Sequence, residues 1–215
     1  MITKTFLRWS AAAVLTGSVI LCIGYLLRAD IDKKFINEFA STQGLISSLM
    51  VGIGSLLFLF GLPFLFATQN LYSSKSGIVA SLLGFTSMAA FHLGTLALYF
   101  VLPVLVNHNE ATRALIYSDE PPFPRFAIFW AISLLMQVIG LLWIGIKTQR
   151  NSELRLSSIL LIAAAIIFLV APFIYFPLIK SANTLSMLGF AIAAVRVLRS
   201  KESTVSSETA IALMV

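Results

Sequence analysis

The sequence predicts an all-α fold, a polytopic integral membrane bundle of six transmembrane helices, and three observations carry that prediction. Of the 215 residues, 59% are hydrophobic and only 11% charged, whereas an ordinary soluble domain is about 25% charged. Six apolar runs follow one another: Ser10 to Leu27, Leu45 to Ala67, Gly77 to Val106, Phe126 to Ile146, Leu156 to Ile179 and Ala182 to Leu198. They bracket the roughly 20 residues that cross a hydrocarbon core at about 1.5 Å per residue. Within them the ionisable side chains are His92, Arg196 and the weakly acidic Cys22, Tyr25, Tyr99 and Tyr175, as the cost of charge in hydrocarbon demands. A β-barrel would show segments of about ten residues with alternating polarity, but these runs are continuous.

The first run follows Lys4 and Arg8, which also describes a signal peptide. It ends in Tyr25-Leu26-Leu27-Arg28 with no small-x-small cleavage site, so it reads as a retained helix. Cys22 is the sole cysteine, which excludes a disulfide framework within one chain. The next segment, Asp30 to Gly44, places Ile31, Phe35 and Phe39 every four positions with Lys33, Lys34, Asn37 and Glu38 elsewhere on the wheel. That spacing predicts a short amphipathic helix on the outer interface.

The second run contains Val51-Gly52-Ile53-Gly54, which lacks the lysine of a phosphate loop. The third is longer than one crossing requires, and Pro103 is expected to kink it near its outer end. After it, Asn109 to Tyr117 offers a short helix, and three prolines between Pro121 and Pro124 force extended geometry before the fourth run. Only Lys180 and Ser181 separate the fifth and sixth runs. As one helix the pair would be about 65 Å long, twice the hydrocarbon thickness. Pro177 is therefore read as a stop, and Ser181 or Asn183 as the cap of a new start. Residues 1–198 form a single transmembrane domain in this reading, and 199–215, rich in Ser and Thr, a disordered cytoplasmic tail.

Six crossings put both termini on one side with nine Lys and Arg, against six on the other. The positive-inside rule places that side in the cytoplasm, and the expected location is the plasma (inner) membrane. The net charge of +6 fits an anionic inner leaflet, and nucleic acid is not an expected partner.

His92 stands on a stripe with Ser81, Met88, Thr95 and Tyr99, at three- and four-residue spacing. An intramembrane ionisable residue is a functional-site hypothesis by default. Its expected partners are Ser133 and Gln137, which share a face of the fourth run, and Tyr175 on the fifth. The predicted ligand-binding set is thus His92, Thr95, Tyr99, Ser133, Gln137 and Tyr175; the bland alternative is a neutral histidine satisfied by an interhelical hydrogen bond. His92 and His108 are 16 residues apart, about 24 Å along a helix, and cannot share a metal. No metal site, no cofactor and no catalytic residue is predicted, since His-Glu-x-x-His, Gly-x-Ser-x-Gly and paired intramembrane aspartates are all missing.

Small-x-x-x-small pairs, Ala13/Gly17, Ala80/Gly84, Ala90/Gly94 and Gly189/Ala193, allow helix backbones to approach closely. They suggest docking on a membrane-protein partner or on a second copy of the chain within the lipid bilayer. The leading expectation is accordingly a non-enzymatic accessory or structural subunit of a membrane complex. The alternatives are a small-solute binding or transport protein with a midplane pocket around His92, and an intramembrane redox protein or enzyme. In size and six-helix plan the chain resembles the substrate-binding subunits of energy-coupling-factor vitamin transporters, which implies a solute pocket, although the charged segment after the first run departs from them.

Overall fold

The computed structural model describes residues 4–27, 42–68, 75–108, 124–174 and 178–199, with the side chains of 4, 64–68, 80, 93, 95–108, 124–127, 129 and 130 excepted. Among these residues it is helical apart from one tight turn. The helices are α1 (Lys4–Leu27), α2 (Thr42–Thr68), α3 (Lys75–His108), α4 (Pro124–Thr148), α5 (Arg155–Ile174) and α6 (Leu178–Arg199). A 3-10 turn, Ser152–Leu154, joins α4 to α5. Five segments are long and apolar enough to cross a membrane: Thr5–Leu27, Thr42–Pro63, Ala131–Thr148, Ser152–Ile174 and Leu178–Arg199. Their outward faces carry Trp9, Leu56, Phe60, Ile132, Ile166 and Phe173, all exposed. A soluble protein does not tolerate apolar surface on that scale.

Several boundaries differ from the sequence reading. The α5–α6 break falls earlier than predicted, after Ile174, and α6 starts at the residue following Pro177. Lys180, Ser181 and Asn183 therefore lie inside α6, where neither Ser181 nor Asn183 is a cap. Pro177 accounts for the earlier break, because proline lacks the N–H that a continuing helix uses. Helix α3 extends to His108, two residues past the predicted run, with Pro103 inside it as expected for a kink rather than a stop. Residues 42–44, counted with the outer amphipathic segment, open α2 instead; the rest of that segment, the Asn109 to Tyr117 helix and the C-terminal tail lie outside the described residues.

Each helix packs on the next along the chain, and α6 closes against α1. Cross-helix contacts run in opposite senses along the α1–α2, α3–α4 and α5–α6 pairs. Gly17 meets Phe58 while Gly61 meets Ser10 and Val14; Gly140 meets Gly84 while Lys147 meets Ser76; Ser157 meets Gly189 while Glu153 meets Arg196. The antiparallel order gathers Lys4, Arg8, Lys75, Lys147, Arg150, Arg155, Arg196 and Arg199 at one end of the helices. That end is tied by the Lys147 ammonium donating to Ser76 Oγ at 2.8 Å and by the Arg196–Glu153 ion pair. Of the described basic residues, only Arg125 and Lys180 sit at the other end.

The α1–α2 pair is the tightest, and its small residues explain why. A methyl group at Gly17 would lie 2.6 Å from the Phe58 backbone nitrogen, and one at Gly61 would run into the Ser10 carbonyl oxygen. The two backbones touch, which is how membrane helices gain packing energy without a hydrophobic drive between them. On the opposite side of the bundle Gly140 lies on Gly84, 2.8 Å from Cβ to Cα if a methyl were added. Replacing Gly17 or Gly61 with Leu is expected to destabilise the protein by at least the 1–3 kcal/mol or so typical of overpacking. Leu56→Ala on the exposed face should change stability by no more than about 0.5 kcal/mol. Denaturation of the purified protein by SDS titration in mixed micelles measures both.

Candidate functional site

Hydrocarbon offers no hydrogen bonds, so polar side chains in this bundle are expected to find partners within it. Most do so locally. Ser10, Ser48, Ser81, Thr148, Ser158 and Thr184 donate to the carbonyl four residues earlier. Others join helices: Ser47 Oγ donates to the Gly24 carbonyl at 2.9 Å, and Ser157 Oγ to the Gly189 carbonyl at 2.8 Å. Against this background a few buried groups stand apart.

His92 is fully buried on α3. Its Nδ1 lies 3.1 Å from Ser55 Oγ of α2 and 3.3 Å from Tyr25 Oη of α1. Phe58 and Phe91 flank the ring, each with its centroid 5.8 Å away. The other ring nitrogen, Nε2, is buried without a partner. Gln137 of α4 is also fully buried, and neither its amide oxygen nor its amide nitrogen has a partner. Ser18 Oγ on α1 and Asn183 Oδ1 on α6 share that condition.

These groups come from four helices and from a band about 10 Å deep along them. Counted from the basic end at about 1.5 Å per residue, Ser18, His92 and Asn183 stand about 21 to 26 Å along their helices and Gln137 about 16 Å. The Gly140–Gly84 contact sets the register between α3 and α4 and puts Gln137 level with Ser87, about 7.5 Å along the axis from His92. Together they form a polar belt near the middle of a roughly 30 Å hydrocarbon layer. An unsatisfied buried polar group costs about 1–3 kcal/mol. Four of the described residues are in that state.

Aromatic rings occupy the interior at the depth of these groups and toward the basic end. Phe58 of α2 and Phe190 of α6 meet edge to face with centroids 5.1 Å apart. Phe91 of α3 and Phe168 of α5 meet similarly at 6.2 Å. Such pairs add about 0.5–1.5 kcal/mol each beyond area burial.

The inward stripe predicted on α3 holds at Ser81, Met88 and His92, all buried. Thr95 and Tyr99 follow on the same helix, but their side chains lie outside the described residues, as does Tyr175. Ser133 and Gln137 are both buried on α4. The hydrogen bonds at His92 come from α1 and α2, so Tyr25 and Ser55 hold the ring in place of the expected Ser133 and Gln137. Tyr25 was visible in the sequence as an intramembrane phenol; nothing marked Ser55, a common residue whose role depends on which helices are neighbours. Among the described residues no group of three His, Cys, Asp or Glu is placed to hold a metal. The chain matches no family model, no curated protein and no solved structure.

Two hydroxyls at one nitrogen make the His92 anchor redundant. Tyr25→Phe and Ser55→Ala are each expected to cost about 0.6–2 kcal/mol, the range for hydrogen bonds between membrane helices. The double variant should cost more than the sum, because Nδ1 is then buried unsatisfied. A double-mutant cycle by SDS titration checks this, and strict additivity would remove the shared-anchor description.

Proposed function

We propose that the chain is a six-span protein of the plasma (inner) membrane that binds or passes a small polar solute at the mid-depth belt around His92. The observation that supports it is the set of buried, unpartnered polar atoms on α1, α3, α4 and α6. Helix α3 is taken as the sixth crossing because it spans 34 residues and α4 runs antiparallel to it. The basic end is assigned to the cytoplasm, following the positive-inside rule, with residues 30–41 on the outer interface.

The accessory-subunit expectation leaned on small-residue helix faces. Gly17, Gly84 and Gly189 are taken up in contacts within the chain, which shifts the weight of argument to the solute reading. Binding at the belt is favourable because each hydrogen bond made there relieves a group that has no other partner. The restrained Nδ1 of His92 keeps its ring in one orientation, so Nε2 is presented to a guest without a further entropy cost.

Two measurements test the reading. A fluorescent protein fused after Val215 should fluoresce, since it folds only on the cytoplasmic side; a dark but membrane-inserted fusion would reverse the orientation. Thermal unfolding of the detergent-purified protein should shift upward with at least one of glycerol, urea, acetamide, acetate or methylammonium. Stabilisation approaches about 2.7 kcal/mol at a hundred times Kd. The shift should vanish in His92→Phe, and a panel with no effect on the native chain would rule the solute reading out.

A further inference from the structure

The outer flank of the α3–α4 pair joins two cations to an apolar furrow. Lys147, in the last turn of α4, donates to Ser76 Oγ in the first turn of α3 at 2.8 Å. The flank of α4 that carries Lys147 therefore lies against the flank of α3 that carries Ser76. Helical spacing extends both flanks toward the middle of the bundle: Trp143 stands four residues before Lys147 and Met136 seven before that, while Leu83 stands seven after Ser76. Ser76, Leu83, Met136 and Trp143 are half-buried, and Leu82 and Ile146 beside them are exposed. The floor is the Gly84–Gly140 contact, where the two backbones touch. A shallow furrow about 10 Å long thus opens outward, with Lys75 and Lys147, both exposed, at its mouth.

Charge and depth together select an occupant. Lys147 is met by a neutral hydroxyl, while Glu153, at the same end of the bundle, is engaged by Arg196. The mouth of the furrow is therefore doubly positive, and lysines at a membrane surface attract anionic headgroups. Trp143 lies one turn below Lys147, the level at which indole rings collect between headgroups and hydrocarbon. Below it the lining is apolar and faces the lipid side, which suits an acyl chain. A zwitterionic headgroup brings its own ammonium to the two lysines and gains less there than an anionic one.

We infer that the outer α3–α4 furrow is a binding site for an anionic phospholipid of the leaflet at the basic end, with its phosphate between the Lys75 and Lys147 ammonium groups and one acyl chain along Leu83, Met136 and Trp143. The inference rests on the six-crossing placement proposed above and is independent of the solute reading, since Ser76 is 16 residues from His92, about 24 Å along α3.

Tryptophan quenching by brominated lipids tests the site on the full-length chain. Trp143 reports on the furrow; Trp9, exposed near the basic end of α1 beside Arg8, reports on lipid elsewhere around the bundle, because α1 packs on α2 and α6. Two single-tryptophan proteins are made, one by Trp9→Phe with Trp130→Phe and one by Trp130→Phe with Trp143→Phe. Each is reconstituted in phosphatidylcholine vesicles containing increasing brominated phosphatidylglycerol or brominated phosphatidylcholine. The relative binding constant at Trp143 should favour phosphatidylglycerol about tenfold or more, and at Trp9 about twofold or less. Each lysine accounts for about fivefold of that preference, so Lys75→Gln with Lys147→Gln should abolish it. Lys75→Gln alone keeps the Lys147–Ser76 tie, should still cost about fivefold, and decides the matter if the double variant fails to fold. Arg8→Gln with Arg155→Gln removes as much charge from the same end of the bundle and should leave the Trp143 preference within about twofold. Equal quenching of Trp143 by the two lipids, equal preference at Trp9 and Trp143, or an equal loss in the arginine variant overturns the site while leaving the membrane placement standing. Absence of quenching at both tryptophans by either lipid overturns the site and the placement together.

Discussion

A hydrocarbon surround that cannot donate or accept a hydrogen bond is the constraint from which the rest of this structure follows. It requires backbone polar groups to be paired within each segment, hence the helices. It also turns each polar side chain at membrane depth into a local problem. Ser10, Ser81 and Ser158 meet it by bonding back along their own helix. Ser47 and Ser157 meet it by bonding to a neighbouring backbone, which only close helix approach permits. Gly24 and Gly189, the residues whose carbonyls receive those bonds, are also residues at which an added methyl would touch the partner helix at 3.0 Å. Small-residue packing and hydroxyl satisfaction are thus two aspects of one arrangement.

The exceptions gain meaning from how consistently the constraint is met elsewhere. If buried polar atoms were left without partners at random, they would be scattered along the helices. Here His92 Nε2, both ends of the Gln137 amide, Ser18 Oγ and Asn183 Oδ1 fall within a band about 10 Å deep along the helices. The serines and threonines nearer the helix ends, such as Ser10, Thr148 and Ser158, are paired. Other hydroxyls at the same depth, those of Ser55, Ser87, Thr184 and Ser186, are paired.

The parts of this architecture that depend on composition alone were legible in the sequence. Six apolar runs correspond to six helices among the described residues, and the basic residues collect at one end because strict alternation of direction leaves no other outcome. The inward orientation of His92 was legible as well, since a lone imidazole in an apolar helix must face the protein, and so was the candidacy of Gln137. What could not be read were relations between helices. Tyr25 and Ser55 are 30 residues apart in the chain, and their meeting at His92 depends on the α1–α2 register, which Gly17, Gly54 and Gly61 set through contacts with a backbone invisible to any single-helix pattern. The shift of the α5–α6 break has a similar origin: an apolar count extends the fifth run to Ile179, while Pro177 overrides hydropathy.

The two nitrogens of His92 link the belt to the rest of the bundle in different ways. Through Nδ1 the ring is joined to α1 and α2, which pack backbone to backbone and behave as one stiff unit. Through Nε2 it addresses the interior, where the groups that remain unmet belong chiefly to α4 and α6. The Phe58–Phe190 contact joins α2 to α6 without any polar group. Because Phe58 also lies against the His92 ring, a change in the tilt of that imidazole cannot occur without repacking Phe58, which places the polar belt and the aromatic closure under one steric constraint.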